Sequence, residues 1–351
     1  MFLALKEIKK EKVRSGMIIA MIALIGYLIF ILTSLALGLA RQNTDAINSW
    51  NIDNVTLNDS ANVDLRQSII SQKQVGNLTD DQALIGQSPV VVKAKDHANT
   101  SAAFVGLQPD QFIAKNLSVS SGRKATSVGE VVADDSFKTK GYKLGDTVTL
   151  NNFSRKFKIV GFTPGAKLNI SPVLYGQLST WRQLKGSMPG VFASAIVSKD
   201  ADYKTKATGM KTYSKATFIN KLPGYSAQNL TFGLMIFFLM LISLIVIAVF
   251  LYILTMQKLP NYAVLRAQGI PSKMLVGATI SQSLILAAAG LVLATALTVI
   301  TALAMPASVP VAFDISILTA AGAGLLVMAL LGSLIPIRSV LKVDPVSVIG
   351  G

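Results

Sequence analysis

The 351-residue sequence has no cysteine, a single histidine and few charged side chains. Without cysteine there is no disulfide scaffold, no thiolate zinc site, no iron–sulfur cluster and no cysteine nucleophile. The one histidine, His97, excludes a metal site built from several imidazoles, and its polar surroundings predict a solvated surface position. Charged residues make up 15% of the chain, well below the usual share in soluble domains. Together with 51% apolar residues, this composition indicates a membrane protein.

Recognisable catalytic motifs are missing, and so are charges inside the long apolar segments. The stretch Gly161-Phe-Thr-Pro-Gly-Ala-Lys167 has the wrong spacing for a phosphate-binding loop and lacks a glycine before its lysine. There is no G-x-S-x-G or H-E-x-x-H sequence. The middle of each apolar segment is uncharged, which argues against a proton- or ion-driven transporter. The chain is therefore predicted not to be an enzyme and to carry no cofactor of its own. Transport would draw on ATP bound by a partner subunit.

Four apolar segments are long enough to cross a bilayer, which takes about 20 residues. A long, mostly polar stretch separates the first segment from the second. The predicted fold class is an α-helical membrane protein with four transmembrane helices and a mixed α/β extracellular domain inserted between helices 1 and 2. The predicted parts are a surface amphipathic helix (1–15), transmembrane helix 1 (16–40), the extracellular domain (41–229), helix 2 (230–256), a coupling loop (257–273), helix 3 (274–305), a short external loop (306–314), helix 4 (315–337) and a tail (338–351).

Lysine and arginine in the short connections predict the orientation. They cluster before span 1, between spans 2 and 3, and after span 4, whereas the loop 306–312 has no charge. The positive-inside rule then places both termini and the 257–273 loop in the cytoplasm of a cell with a plasma membrane. The inserted domain has 23 Lys and Arg against 14 Asp and Glu, net +9. This does not contradict the orientation, because long translocated domains largely ignore the rule. Anionic lipids, teichoic acids and other anions would all be attracted to such a domain.

The N-terminal 40 residues have two alternative interpretations. A cleaved signal peptide is one, but the apolar run is longer than the 7–15 residues of a signal core. In Leu3–Val13, apolar residues recur on one helical face and charges fill the other. That pattern is typical of an amphipathic helix on the membrane surface. A simple charged flank that anchors span 1 fits this segment equally well.

The inserted segment reads as a mixture of short strands and helices. Helices are predicted near 179–184 and 214–220, and Gly145-Asp146 and Asn151-Asn152 supply turn chemistry around the fourth predicted strand. The predicted strands begin at Asn54, Val90, Glu130, Asp146 and Lys156.

Small residues recur in the last two spans, where they allow helices to approach closely. They are expected to serve packing within the chain more than a dimer face. Pro336 is expected to kink or end span 4. The small residues are Gly277, Ser281, Gly290 and Ala294 in span 3, and Gly322, Gly324 and Gly332 in span 4.

This layout, together with four short stretches, resembles the FtsX-like permease family, the membrane subunits of MacB- and LolCE-type ABC transporters. The small size and the C-terminal ending at 342–351 are similar to the HrtB-type haem exporter permeases within that family, as is Thr255-Met-Gln-Lys258 after span 2. The absence of a long coiled-coil segment fits a Gram-positive cell with one membrane. The four stretches are Ala4–Ser15, Gly129–Ala133 with Leu144–Leu150 and Phe157–Gly161, Tyr262–Ile270, and Val340–Pro345.

The resemblance implies a homodimeric permease with two copies of an ABC ATPase subunit, membrane lipids around it and no nucleic acid. ATP-driven closure would be passed through the spans to the external domain by mechanotransmission. The 257–273 loop would form a short helix seated in the ATPase, begun by Pro260 and capped by Gly269. Residues expected to couple to the ATPase are Glu7, Leu265, Arg266 and Gly269. An ordinary basic loop is the alternative.

For a haem exporter, the sequence leaves tyrosine, methionine or a carboxylate as possible ligands of the haem iron. Tyr225 is the first choice, because the HrtB-type proteins have a tyrosine at the matching position. Basic residues at the interface would meet the propionates. The expected haem-binding residues are Tyr225, Tyr27, Phe30, Met235, Phe238, Arg41 and Lys221. The alternative is that these are lipid-facing, packing or interfacial anchor residues.

Two other functions remain open at this stage. One is export of another amphiphile, such as an antimicrobial peptide or a lipid. The other is a signal relay without transport, in which the external domain activates a cell-wall hydrolase, as FtsX does.

Overall fold

The structure, a computed structural model, describes Lys6, residues 8–306 and residues 309–341. The chain divides into two compact units, a membrane unit (residues up to 38 and from 229) and an inserted unit (39–228). Glu7, most of the C-terminal tail and part of the predicted amphipathic helix lie outside the described residues. Of that helix, residues 8–10 are helical and Glu11 forms a turn.

The long helices stand near the two ends of the chain, and the short strands lie between the first long helix and the other three. A 3₁₀ turn covers Asp59–Ala61 between the first two strands. The elements are α1 (Lys12–Ser49), β1 (Asn54–Asn58), α2 (Gln72–Val75), β2 (Gln82–Lys93), β3 (Thr100–Leu107), α3 (Phe112–Asn116), β4 (Ser121–Gly122), β5 (Glu130–Asp134), α4 (Ser136–Thr139), β6 (Thr147–Leu150), β7 (Lys156–Thr163), β8 (Lys167–Leu168), β9 (Ser171–Gln177), α5 (Leu178–Leu184), β10 (Ala195–Ser198), β11 (Met210–Ser214), α6 (Lys215–Asn220), α7 (Tyr225–Ala267), α8 (Ser272–Ala304), α9 (Ile315–Gly332) and α10 (Leu334–Leu341).

Among the described residues, four helical stretches are long and apolar enough to cross a membrane: α1, α7, α8 and the α9–α10 stretch. The prediction of four spans with an α/β domain between the first and second is confirmed. Two helices run well beyond their predicted spans, because α1 has 38 residues and α7 has 43. Pro260 lies inside α7, so the prediction that a separate short helix begins there is wrong. Proline has a helix-compatible φ, and its main cost here is the missing hydrogen bond to the Met256 carbonyl.

The last span is interrupted where proline chemistry predicts it. α9 ends at Gly332 and α10 begins at Leu334, with Ser333 as the cap between them. Pro336 stands in the first turn of α10, where its missing N–H would otherwise have bonded the Gly332 carbonyl. The prediction that Pro336 kinks or ends span 4 is therefore confirmed.

Glycines bring the membrane helices close together. A Cβ atom on Gly290 would lie 2.6 Å from Cγ2 of Ile22, and one on Gly332 would lie 3.1 Å from the backbone nitrogen of Ala248. Gly277, by contrast, has no heavy atom of the other described helices within 4 Å of that position. Close packing within the chain is thus confirmed for Gly290 and Gly332 but not for Gly277.

A layer of buried polar side chains lies among α1, α7 and α8 of the membrane unit. Its centre is Lys258, 5% exposed, whose Nζ donates a 3.3 Å hydrogen bond to Oε1 of Gln282 on α8. At the exposed edge of this group, Gln257 on α7 accepts a hydrogen bond from Arg14. The other buried members are Ser15, Thr255, Thr279 and Ser283. We call this group the polar layer.

The inserted unit is built on an 11-stranded sheet whose central order is β11-β1-β10-β2-β3-β9-β5-β7-β4. Most neighbours are antiparallel, but β3 pairs with β9 and β5 with β7 in parallel. The fourth and fifth predicted strands form a β6–β7 pair, with Thr147 opposite Lys158. The five predicted strands and both predicted helices are confirmed.

Successive side chains of the sheet enter two separate cores, because strand residues alternate between faces. Val105 and Tyr175 belong to one core, which the end of α1 covers, and Trp50 donates a 3.0 Å hydrogen bond from Nε1 to the Tyr175 hydroxyl there. Phe104 and Trp181 belong to the other. Both faces are therefore shielded from water.

His97 is not the solvated residue that the sequence predicts. Its ring stacks on Tyr142 with 4.2 Å between centroids, and its side chain is 22% exposed. Nε2 lies 3.9 Å from the Asp146 carboxylate. A polar sequence neighbourhood did not reveal this aromatic partner 45 residues further on.

The polar layer predicts a non-additive pair of substitutions. Gln282→Leu should lower the Tm of the detergent-purified protein by an amount that corresponds to about 1–3 kcal/mol, because the Lys258 ammonium loses a buried acceptor. Adding Lys258→Met should restore part of that loss, since the buried charge is then gone. Gln268→Leu, at an exposed position, is the matched control and should leave the Tm unchanged. Losses that simply add would show that the two side chains are not coupled.

Candidate functional site

The turn between α7 and α8 is closed by a well-defined helix cap. Gly269 has φ 87°, and its N–H bonds the Arg266 carbonyl at 3.0 Å. The N–H of Ile270 bonds the Leu265 carbonyl at 3.1 Å. These two bonds, with a left-handed residue between them, form a Schellman motif. The predicted role of Gly269 as a helix cap is confirmed.

The turn is packed onto the membrane unit by a small apolar cluster. Its buried members are Tyr262, Leu275 and Val340, and Leu265 and Ile270 pack against them. Leu265, which the sequence predicts as an ATPase contact, is therefore partly buried by contacts within its own chain. Arg266 is half-buried in the same turn. Its role and that of Leu265 stay predictions.

Residues that the sequence analysis did not single out also shape this end of the membrane unit. Val264, two residues before Arg266, is 46% exposed and so adds an apolar side chain to the surface next to the turn. Lys258 is buried in the polar layer one turn before Tyr262. Helical spacing would have found Lys258, because Leu254, Lys258 and Tyr262 recur every fourth residue and share a face.

In the membrane unit, the four predicted haem-binding residues fall into two pairs. The Tyr27 hydroxyl lies 3.0 Å from Oγ1 of Thr301 on α8, and Phe30 is buried beside α9 at Gly322. This pair holds helices of one chain together. Met235 and Phe238, in the first third of α7, are instead 46% and 54% exposed.

In the inserted unit, the other three predicted residues lie at the two chain segments that lead to the membrane unit. Arg41 is exposed on α1. Lys221 caps the C-terminus of α6, and its Nζ lies 5.5 Å from the ring centroid of Tyr213. Tyr225 begins α7 and is half-buried against the core that contains Tyr175. Lys221 and Tyr225 therefore belong to one short segment with a cation and a phenol.

Among the described residues, no group of three or more His, Asp or Glu side chains comes together in a way that could hold a metal ion.

Exposed apolar side chains are the main feature of α7. In the part before the middle of the helix they are Leu230, Leu234, Met235, Phe237, Phe238, Leu241, Ile242 and Ile245.

Known proteins share both halves of this arrangement. Residues 15–206 match the MacB-like periplasmic core domain, and residues 233–345 match the FtsX-like permease C-terminal domain. The first match covers more than half of the chain and includes strands β1 to β10 of the inserted unit. The second covers most of α7 and all of the later described helices.

Full-length relatives include a Staphylococcus haemolyticus protein whose name describes it as the HrtB permease of a hemin transport system. It is 26% identical over 356 residues, which cover 100% of this chain and 99% of the relative. An ABC transporter permease of Mycobacterium tuberculosis is 23% identical over 361 residues, with the same coverage.

Among solved structures, the periplasmic region of MacB from Actinobacillus actinomycetemcomitans is 20% identical, with a TM-score of 0.35. It covers 49% of this chain and 92% of its own. The matching domains place the inserted unit outside the membrane. Permease subunits of this kind are not themselves enzymes and work with an ATPase partner. The chain belongs to the FtsX-like, MacB-type family of ABC transporter permeases.

Proposed function

We propose that this permease exports haem from the outer leaflet of the membrane, with ATP hydrolysed by a separate subunit. The observation that carries the proposal is the full-length similarity to the HrtB permease of S. haemolyticus, which is named for hemin transport. The similarity extends through both units, so it includes the external domain as well as the membrane helices.

The proposed setting is the plasma membrane, with both termini in the cytoplasm. Support comes from the basic residues, since Arg266 and Lys273 flank the α7–α8 turn and Arg14 lies in the first turn of α1. Two permease chains would work with two ATPase subunits and surrounding lipids. The exposed apolar stretch of α7 leaves ample surface for a second chain and for lipid.

A haem exporter needs side chains that can bind an apolar ligand with two negatively charged propionates. Tyr225 offers a phenol, which is among the side chains that ligate haem iron. Lys221, four residues before it, and Arg41 on α1 offer cations for propionates. Met235 and Phe238 offer apolar contact from within the bilayer. Haem is the transported substrate in this proposal and no resident cofactor.

The ATPase would contact the α7–α8 turn. Two features support this choice. The Schellman motif at Gly269 holds the turn in one backbone conformation, and the cluster around Tyr262 anchors it to α8 and α10. A push on a turn held in this way moves the helices to which it is attached instead of deforming a loop. Glu7, the remaining predicted coupling residue, lies outside the described residues.

Tyr225→Phe should weaken haem binding, because it removes the phenolic oxygen and keeps the ring that packs on the inserted core. The measurement is a haem titration of the full protein in nanodiscs, followed by absorbance in the Soret region. Wild type should give a saturable shifted band at about one haem per dimer, and the variant a smaller shift and an affinity lower by about tenfold.

Tyr252→Phe is the matched control, since Tyr252 is a partly exposed tyrosine further along the same helix. Equal spectra for wild type and Tyr225→Phe would remove Tyr225 from the site. Wild-type behaviour identical to empty nanodiscs would reject haem, and the other candidate functions, export of a different amphiphile or signalling to a cell-wall hydrolase, would then be examined with peptides, lipids and external proteins.

Arg266→Glu should uncouple ATP hydrolysis from export while haem binding is preserved, because the charge reversal stands in the turn proposed to meet the ATPase. The measurement is haem-stimulated ATPase activity of the complex, with stimulation expected to fall at least tenfold. Lys273→Glu, an exposed charge reversal in the first turn of α8, is the control for a general charge effect. Unchanged stimulation in Arg266→Glu would place the contact elsewhere.

A further inference from the structure

A cavity of about 480 Å³ opens in the inserted unit, between the loop of residues 62–67 and the segment of Lys221 and Pro223. Its lining combines cations and amides with few apolar groups. Two of the lining side chains are cationic, Arg66 and Lys221, and one is a carboxylate, Asp64. Its charge balance decides what it can bind.

The carboxylate of Asp64 is fully engaged by Arg66. Nε of Arg66 donates to both carboxylate oxygens at 3.0 Å, and Nη2 donates to Oδ2 at 2.6 Å. Burial alone would raise the pKa of Asp64, but the hydrogen bonds from the side chain and backbone of Arg66 outweigh it and lower that pKa. Asp64 therefore stays ionised and serves as an internal counter-charge that fixes the guanidinium in place.

Arg66 keeps hydrogen-bonding capacity after this pairing. Its side chain is 43% exposed, and among the hydrogen bonds that the described residues make, none uses its Nη1 group. A guanidinium that is oriented by one carboxylate and open on its other edge is pre-organised for a second oxyanion, because less side-chain entropy is lost on binding.

The loop that carries Arg66 is held in a strained backbone conformation. Asn62 has φ 47° and Val63 has φ 58°, and a β-branched residue is rarely found in this left-handed region. The Asp64 carbonyl accepts hydrogen bonds from the N–H groups of Gln67 and Ser68, and Val63 is buried in the core. Strain of this kind persists only where the surroundings enforce it, and it is typical of ligand sites.

Further cations surround the cavity. Nζ of Lys185 donates a 3.3 Å hydrogen bond to the Arg66 carbonyl. Lys221 and Lys211 lie 5.5 Å and 5.6 Å from the centroid of the Tyr213 ring, which holds both by cation–π attraction. Because Arg66 neutralises Asp64, Lys221 and Lys185 give the surroundings of the cavity a net positive charge.

We propose that this cavity is an oxyanion site, in which Arg66 and Lys221 bind the carboxylate or phosphate of an amphiphile. The inference deepens the proposed function, on which it rests for the choice of a haem carboxylate as the oxyanion. A lipid phosphate offers the same chemistry to the same two cations. Arg66 becomes a substrate-binding residue that composition and motif analysis did not reveal.

The experiment compares haem with haem dimethyl ester, whose carboxylates are blocked. The full-length protein is placed in nanodiscs of neutral phosphatidylcholine. Wild type should bind haem about three- to tenfold more tightly than the ester. Arg66→Gln and Lys221→Gln should each reduce that preference towards one. Lys221→Gln carries the test if Arg66→Gln disturbs the strained loop, since Lys221 belongs to a different segment, where its N–H bonds the Thr217 and Phe218 carbonyls. Lys211→Gln, on the same ring but outside the cavity lining, is the matched control.

A second arm titrates short-chain phosphatidylglycerol, followed by native mass spectrometry, against the same variants. If wild type binds haem and its ester equally, but loses phosphatidylglycerol in both variants, the site is an oxyanion site for lipid. If wild type binds no haem at all, the proposed function fails, and the lipid arm alone judges the cavity. If neither ligand responds to Arg66→Gln or Lys221→Gln, the oxyanion site is refuted.

Discussion

The membrane unit depends on one constraint, which is that a bilayer offers apolar helices little hydrophobic gain from meeting one another. Of the most apolar window of α7, 22% is buried in this chain. The helices are instead held by backbone approach at glycines such as Gly290 and by hydrogen bonds such as that from Lys258 to Gln282. A buried ammonium is expensive in such surroundings, so its acceptor fixes how α7 and α8 pair. Neither the glycine contacts nor this hydrogen bond uses the exposed face of α7.

The inserted unit follows the opposite logic, since water drives its apolar residues into two cores. The sheet is shielded on both faces, and residues next to each other, such as Phe104 and Val105, enter different cores. This leaves polar chemistry to the loops, and the loop that contains Arg66 is the best example. Its conformation is enforced by the burial of Val63 on one side and the Asp64 carbonyl on the other. The fold thereby supplies a cation with a set orientation without a regular element beneath it.

Local chemistry explains which features the sequence predicted. Gly269 as a cap, Pro336 as a break and the Asp146–Leu150 strand all follow from backbone preferences that act over a few residues. The prediction that Pro260 begins a helix is wrong, because a proline at the start of a helix and a proline within one have the same φ. Tertiary packing decides between the two positions. The stacking of His97 on Tyr142, the burial of Lys258 and the left-handed backbone at Val63 depend on partners distant in sequence. The candidate oxyanion site belongs to this last class, since 155 positions separate Arg66 from Lys221.

The continuity of α7 gives the proposed coupling its physical basis. A helix of 43 residues is about 64 Å long, and one run of backbone hydrogen bonds extends from Tyr225 to Ala267 apart from the bond that Pro260 cannot make. In the proposed mechanism, the work of export enters from a partner at the α7–α8 turn, because the spans contain few ionisable groups. Because the Schellman motif fixes that turn, a displacement there would be transmitted along the helix instead of being absorbed by a flexible loop. The residue at the other end of the same helix is Tyr225, the proposed haem ligand. Binding and energy input are thus proposed at opposite ends of one element, the continuous α7, which takes the place of the separate short coupling helix that the sequence suggested.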